Sequence, residues 1–483
     1  MILHGAVDAA SGAAVPPARR HEFGPAQPQG AIISSSLRLP ASAGAGQSQH
    51  ETGMKMRSDI LRSAAMLAAT FFSVGAQAGG LAAYNIGSAD VGLASAGAEA
   101  RAADPSTIYA NPAGMTRLKG TQVLLGVQAL YADVEFDIDA GTSPGLGSHS
   151  GGNAVGWFPG GGVFVTHQVS PSFTLGFGSA SSFGLGLEYD KSWAGRYYGR
   201  QAALIGLSLL PSVAYKVNDK LSLGASVNAT YGILRNKVAI NNVLPGSADG
   251  SLALKNAKWS WGVNLGALYE FTPSTRLGLA YKSEVELDFS ARADFDDIAP
   301  GLLALLNAGG LNNAKIGMDI TIPQGVGASL FHQASDRWAL LGSLGWQEWS
   351  KFGQVGISVD STNPVSATTD LKFKDTWHAA LGAQYRLSQP WLLNFGVAYD
   401  SNFQKSSSVS PALPANGAWM FGVGLQNQAA KDFEWGVAAQ YVYGGHLETR
   451  LQGAAPAIGG RGNLVGHYDP RVYYLSANFI WKY

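Results

Sequence analysis

The feature that most limits what this chain can become is a period of two, repeated many times. In Leu221–Ile233 the odd positions read Leu, Leu, Ala, Val, Ala, Tyr and Ile, and the even ones Ser, Gly, Ser, Asn, Thr and Gly. In Leu277–Phe289, Leu277, Leu279, Tyr281, Val285, Leu287 and Phe289 share one side, and Lys282, Glu284, Glu286 and Asp288 the other. Trp391–Tyr399 and Phe433–Tyr443 repeat the pattern. Strand side chains alternate between faces, so each segment reads as a strand with one apolar face and one small or polar face. A soluble sandwich alternates too, so the choice rests on further features.

Three of them favour strands in lipid. The segments are long, and a membrane-crossing strand needs about 9–11 residues. The connections alternate between short ones, at 169–172, 217–220, 271–274, 333–336, 387–390 and 428–431, and long ones, near 138–156, 188–199, 240–253, 290–313, 353–371, 401–416 and 445–469. Short turns on one rim and long loops on the other are the habit of outer-membrane barrels. Finally, the chain ends Phe479-Ile480-Trp481-Lys482-Tyr483, with Leu475, Ala477, Phe479 and Trp481 on the face of Tyr483. That ending resembles the terminal strand signal read by the outer-membrane assembly machinery, an expected partner.

Composition agrees. Charged residues are 14% of the chain, against about 25% in soluble domains. Gly accounts for 62 of 483 residues, with 12 Trp, 18 Tyr and 20 Phe. A formal net charge of zero removes the electrostatic case for nucleic acid as a partner. The absence of cysteine excludes disulfide frameworks and thiolate metal sites.

Met54-Lys55-Met56-Arg57 opens a short basic region, an apolar run covers Ala64–Val74, and Ala76-Gln77-Ala78 closes it. This is the layout of a signal peptide over 54–78, cut before Gly79. The run is too short for a spanning helix of about 20 residues. Residues 1–53, rich in Ala, Pro, Gly, Ser and Gln, are expected to be a mis-assigned or disordered extension.

Counting runs gives fourteen strands, starting near 120, 157, 172, 200, 220, 257, 274, 314, 337, 373, 390, 417, 432 and 470. The expected fold is all-β, a 14-stranded antiparallel transmembrane barrel over 120–483. Closure is required because an open edge in lipid leaves backbone groups unpaired. The polar faces, Glu284 and Glu286 included, are expected to line the interior. The apolar faces, without a polar stripe, are expected to meet outer-membrane lipid and lipopolysaccharide around a monomer. So wide a barrel leaves a lumen. Residues 79–119 carry Leu81, Tyr84, Ile86, Val91, Leu93, Ile108, Tyr109 and Met115, too many apolar groups for a solvated tail. They are expected to fold inward from the periplasmic side as a hatch.

Within that segment, Ser88–Gly97, Asp104-Pro105-Ser106-Thr107 and Asn111-Pro112-Ala113 resemble the hatch of the FadL family of outer-membrane hydrocarbon transporters. Ser182-Phe183-Gly184-Leu185 with Trp193-Ala194-Gly195-Arg196-Tyr197, then Leu210–Lys216, Trp346–Phe352 and Trp377–Tyr385, resemble barrel segments of that family, in order. The resemblance implies a passive uptake channel in the outer membrane of a Gram-negative bacterium. Its cargo would be a hydrophobic small molecule: long-chain fatty acids, or aromatic hydrocarbons by the same route. It implies capture by outer loops, hatch rearrangement and lateral exit through a kink in the third strand. No Walker-type phosphate loop occurs, so no nucleotide or other cofactor is expected and transport runs downhill.

Candidate site residues follow. Asn111, Pro112 and Ala113 belong to the hatch. Phe183 and Gly184 mark the third-strand kink, where Gly176, Gly178, Gly184 and Gly186 weaken strand pairing. Pro300 starts and Gly309-Gly310 ends a short helix in an outer loop. Its Leu302, Leu303 and Leu306 either form an exposed apolar landing patch or pack on neighbours. Arg235, in an Arg-x-Lys pattern with Lys237, is the candidate partner for a carboxylate. Gly353-Gln354-Val355-Gly356 stands where some fatty-acid members carry a basic residue, which favours a neutral hydrocarbon.

Rival classes lack their residues. A lipase-type enzyme needs a catalytic set near the outer rim. Yet His149, His167, His332, His378, His446 and His467 are scattered, with no HExxH spacing and no GxSxG elbow. No metal site is expected from them. A general porin would lack an apolar plug.

Overall fold

The computed structural model describes residues 87–242, 247–456 and 460–483. The expected extension over 1–53, the expected signal peptide over 54–78 and the first expected hatch residues, with Leu81, Tyr84 and Ile86, lie outside the described residues.

The wall begins with β1 (Thr121–Asp133), β2 (Gly156–Ser170), β3 (Phe173–Glu188), β4 (Gln201–Lys216), β5 (Leu221–Ile240), β6 (Gly250–Thr272) and β7 (Thr275–Lys282). It continues with β8 (Gly325–Gln333), β9 (Trp338–Gln347), β10 (Thr376–Ser388), β11 (Trp391–Asp400), β12 (Ala418–Asn427), β13 (Phe433–Tyr443) and β14 (Arg471–Lys482). Neighbours in sequence pair antiparallel, and β14 returns to β1 from Gln122↔Lys482 to Asp133↔Arg471, closing the ring. The apolar phase points out. On β5, Leu223 and Val227 are 46% and 44% exposed to the lipid side, while Ser222 and Ser226 turn inward and are buried. Cross-strand aromatic pairs bound this band. Tyr131–Trp157, Tyr231–Trp259 and Tyr399–Trp419 mark the outer rim. Trp338–Tyr385, Trp391–Trp435 and Phe433–Trp481 mark the inner one. Amphipathic rings sit at headgroup level, so the pairs form two girdles.

Two expectations about the seventh and eighth strands are corrected. Lys315–Ile322 does not begin β8; with Val285–Arg292, Gln354–Asp360 and Val365–Asp370 it forms a separate four-stranded sheet on the outer side. Pro323, which has no N–H to give, separates it from the wall. The matching break on β7, at Ser283–Glu284, reverses the phase of the alternation. Val285, Leu287 and Phe289 turn inward at 3%, 0% and 1% exposure, and Glu286 and Asp288 point outward. The outward carboxylates lie beyond the wall, where they meet water rather than hydrocarbon.

The lumen holds the hatch: α1 (Ser88–Gly92), α2 (Ala98–Arg101), α3 (Thr107–Ala110) and a 3-10 turn, Pro112–Arg117. A Cβ on Gly396 would collide with the Leu93 carbonyl, and one on Gly278 with that of Glu99. Hatch backbone thus lies directly on wall backbone, which accounts for part of the glycine excess. Between its helices, Arg101 bonds Asp104 at 2.6 Å and Asp90 at 3.0 Å, all three buried. The loop helices α4 (Pro300–Ala308) and α5 (Trp349–Phe352) pack outside the hatch, over an apolar cluster that includes Phe183, Leu234, Leu287 and Phe403.

Candidate functional site

Asn111 ends α3 in an extended conformation, φ −156° and ψ 101°, and its Oδ1 accepts the Ala113 N–H at 3.1 Å, starting the next turn. Pro112 follows as the first turn residue, where a missing N–H costs nothing. The amide of Asn111 donates to the Glu99 carbonyl at 2.8 Å and to Ala267 on β6 at 2.9 Å. A side chain on Gly224 of β5 would strike Pro112 and Ala113. Asn111, Pro112 and Ala113 therefore fasten the hatch to β5 and β6, and none of them lines the cavity described below.

On the third strand, the β2–β3 ladder stops at Gly162↔Ala180. Both strands continue outward, β2 still paired with β1 up to Gly156 and β3 with β4 up to Glu188. The wall therefore parts between β2 and β3. Two local causes are visible. On β3 the register slips between Ser181 and Phe183, and Gly184 takes φ +141°. On β2, Pro159 lacks a donor and Gly161 takes φ +142°. Phe183 is turned inward at 3% exposure, its ring over Gly206. Gly176 and Gly178 serve another purpose: side chains there would strike Met115, Ile108 and Phe164, so they clear room for the hatch.

Between hatch and wall lies a cavity of about 130 Å³. Ala98, Tyr109, Phe183, Val285, Ile322 and Pro323 give it apolar walls, and Glu99, Lys282 and His378 its polar ones. Each polar group has a different setting. The Glu99 carboxylate accepts a hydrogen bond from the Ser329 hydroxyl. His378 Nδ1 lies 2.6 Å from Asp400 Oδ1. Lys282 Nζ lies 3.7 Å from the centre of the Tyr109 ring, and among the described residues it makes no ion pair.

The other expected residues lie elsewhere. Arg235 is exposed, on the same outward side of β5 as Leu223 and Val227, and does not line the cavity. Lys237 borders a separate basin of about 600 Å³ on the outer side. There Arg196 is already paired with Asp249 at 2.6 Å. Burial and a hydrogen bond to Asp249 push the Tyr197 hydroxyl there up to about 12. Of the two readings left open for the α4 leucines, packing on neighbours describes Leu302 and Leu306. Leu306 is 4% exposed and Leu302 packs partly buried against the cluster, because residues four apart share one helix face. Leu303 is half-buried, and the exposed leucine is Leu305, at 42%.

Sequence reasoning passed over Glu99, Lys282 and His378. For Lys282 a signal existed: a cation in the inward phase of a wall strand. It was weak, because the lumen side of a barrel strand is ordinarily polar.

The model of a family described as outer membrane protein transport protein (OMPP1/FadL/TodX) matches residues 69–483. The long-chain fatty acid transport protein of Escherichia coli O6:H1 is 28% identical over 433 residues, 83% of this chain and 95% of that one. A crystal structure of a Pseudomonas aeruginosa FadL homologue has a TM-score of 0.72 at 22% identity, covering 83% of this chain and 99% of its own. The P. putida toluene transporter TodX has a TM-score of 0.61 at 16% identity, covering 82% and 98%. At these identities the two structures speak for the fold alone.

Proposed function

Because the chain belongs to the OMPP1/FadL/TodX family of outer-membrane transport proteins for hydrophobic molecules, we propose that its cargo is a long-chain fatty acid. The protein is a channel of the Gram-negative outer membrane and not an enzyme.

Lys282 carries this reading. An ammonium drawn out of water is costly unless an anion accompanies it; among the described residues Lys282 feels the charges of Glu99 and Asp90 but makes no ion pair with either, and its close contact is the face of Tyr109. A fatty-acid carboxylate entering the cavity supplies that anion. A neutral hydrocarbon has no use for the charge. The apolar lining, with Phe183 and Ile322, receives the first carbons of the chain, each burial contributing about 0.8 kcal/mol per CH₂. The rest of the tail parts the apolar cluster above, to which Phe183 also belongs. In this scheme Leu302 and Leu303 belong to the loops that admit the cargo, and Asn111, Pro112 and Ala113 set the hinge of the hatch. Phe183 and Gly184 border the parting between β2 and β3, the sideways exit toward lipid.

Aromatic hydrocarbons are a second reading with its own observation. A cavity of about 130 Å³ is close to the roughly 150 Å³ apolar cavity that accepts benzene. Uptake of radiolabelled oleate and toluene by deletion cells, complemented with wild type or Lys282→Met, separates the two. We expect wild type to restore oleate uptake and Lys282→Met to lower it at least tenfold. Toluene uptake alone, indifferent to Lys282→Met, would move the cargo to aromatics.

A further inference from the structure

The first and last long loops meet on the outer side. Asp137–Ile138, from the β1–β2 loop, pairs with Leu464–Tyr468, which pairs with Leu447–Leu451; both of these come from the β13–β14 loop. Alternation sorts the side chains of this small sheet. Phe136, Leu447, Leu464 and Tyr468 turn to one side and are buried. The other face carries Asp137, Asp139, His446, Glu448, His467 and Asp469, and His467 stands opposite both Asp137 and Glu448 in register. The rings of His446 and His467 are 4.6 Å apart, centre to centre. One ligand atom from each of His446, His467 and Asp469 falls within a span of 4.8 Å.

We propose that His446, His467 and Asp469 bind a divalent transition-metal ion of the zinc class, pinning together the two arms of the last outer loop. The donor set is selective. Paired imidazoles with a carboxylate suit zinc, copper or nickel, whereas calcium and magnesium take oxygen ligands. Asp139 Oδ2 lies 3.1 Å from His467 Nδ1, so Nδ1–H donates to it and the lone pair is left on Nε2. Asp137 Oδ2 lies 3.6 Å from that Nε2 and could join as a fourth ligand only by moving toward His446 and Asp469. Zinc bonds of about 2.0–2.2 Å put tetrahedral ligand atoms roughly 3.3 Å apart, so the present span must shrink. His446 and Asp469 have side chains 54% and 43% exposed, free to rotate that far. Among the described residues of this small sheet's outer face, four carboxylates stand against one guanidinium, that of Arg450, the sign a cation needs. Hydrogen bonds among these exposed groups are not a sufficient reason for the cluster, since exposed pairs contribute only about 0–1 kcal/mol.

The clasp has a structural consequence. On the buried side of the same sheet, Tyr468 shares a hydrogen bond with Tyr189 at 2.8 Å, and Phe136 contacts both Tyr468 and Trp193. An ion on the outer face therefore stiffens an aromatic cap that also includes the β3–β4 loop. This inference does not depend on which cargo the channel carries.

The test uses the full chain, folded in detergent and carrying no polyhistidine tag. Zn²⁺ is titrated by calorimetry, and Co²⁺ by its visible ligand-field spectrum. We expect one ion per chain with micromolar affinity and a Co²⁺ spectrum of a four-coordinate nitrogen–oxygen site. Asp469→Asn should weaken binding at least tenfold, and the double variant His446→Ala/His467→Ala should abolish it, with heat-shifted gel mobility reporting an intact barrel. His149→Ala should leave it unchanged. No saturable binding to the wild type would overturn the proposal, as would binding that survives the double variant.

Discussion

Inside the hatch, Arg101 is held between two buried carboxylates that titrate in opposite directions. At Asp104, burial opposes the charged form, but the Arg101 charge and hydrogen bonds from Ser106 and Arg101 outweigh it, and the carboxyl lies below its ordinary range. At Asp90, burial, helped by the Asp104 charge, outweighs Arg101, and the carboxyl lies above it. The stabilising contribution of Asp104 is full above the ordinary carboxylate value of about 3.9 and is lost as pH falls through its depressed value. The contribution of Asp90 has the other sign, present at low pH and lost as pH rises through its raised value. On acidification Asp90 therefore takes a proton first, while the Arg101–Asp104 pair persists. Hydrogen exchange of the hatch, corrected for intrinsic rates, should stay slow at pH 5 and quicken only below about pH 4. Arg101→Met leaves both carboxylates without their cation and should destabilise the hatch by about 3–5 kcal/mol, read by the same exchange. At this scale the sequence was partly legible. Asp104-Pro105-Ser106-Thr107 stood out as a motif, but its partners Asp90 and Arg101 needed the folded hatch to be found.

At the scale of the element, the proposed sideways exit rests on β3 and on its neighbour β2. Gly184 holds φ +141°, and a Cβ there would also meet the backbone of Ile205. A branched residue is strained in that conformation by about 1–3 kcal/mol. Gly184→Val should therefore pull the strand toward regular pairing with β2 and lower uptake severalfold. Unchanged uptake, with the barrel still showing its normal heat-shifted gel mobility, would remove β3 from the route. The kink was legible from the glycines of β3 and, more, from the family resemblance at Phe183-Gly184; the slipped register was seen only in the folded strand. The parting of β2 from β3 was not legible, since it depends equally on Pro159 and Gly161 of the neighbouring strand. Helix α4 shows the same division. Its ends were read from Pro300 and Gly309-Gly310, but which leucines face water was set by the cluster beneath it.

For the whole molecule, closing fourteen strands makes a lumen, which among the described residues is filled by the hatch with the apolar cluster above it. Planar bilayers with the wild type should therefore show little steady conductance, and deletion of the segment up to Lys119 should give large open channels. A deletion variant that folds but conducts no more than wild type would mean that the outer cluster alone seals the barrel.

Alternation, turn length and the terminal aromatic strand are local properties. They determined from the sequence by itself that this chain is an outer-membrane barrel with fourteen strands and an inward hatch. What faces what was left to the tertiary structure. A break at Ser283 reverses the side-chain phase, so Leu287 goes in and Glu286 out, and no periodicity carries across such a break. Alternation already put Arg235 in the outward phase and Lys282 in the inward one; that Lys282, of the many inward polar groups, borders the cavity was decided only when the hatch packed into the closed lumen. His446 and His467 sit ring to ring because cross-strand register, a relation between distant segments, brings them there.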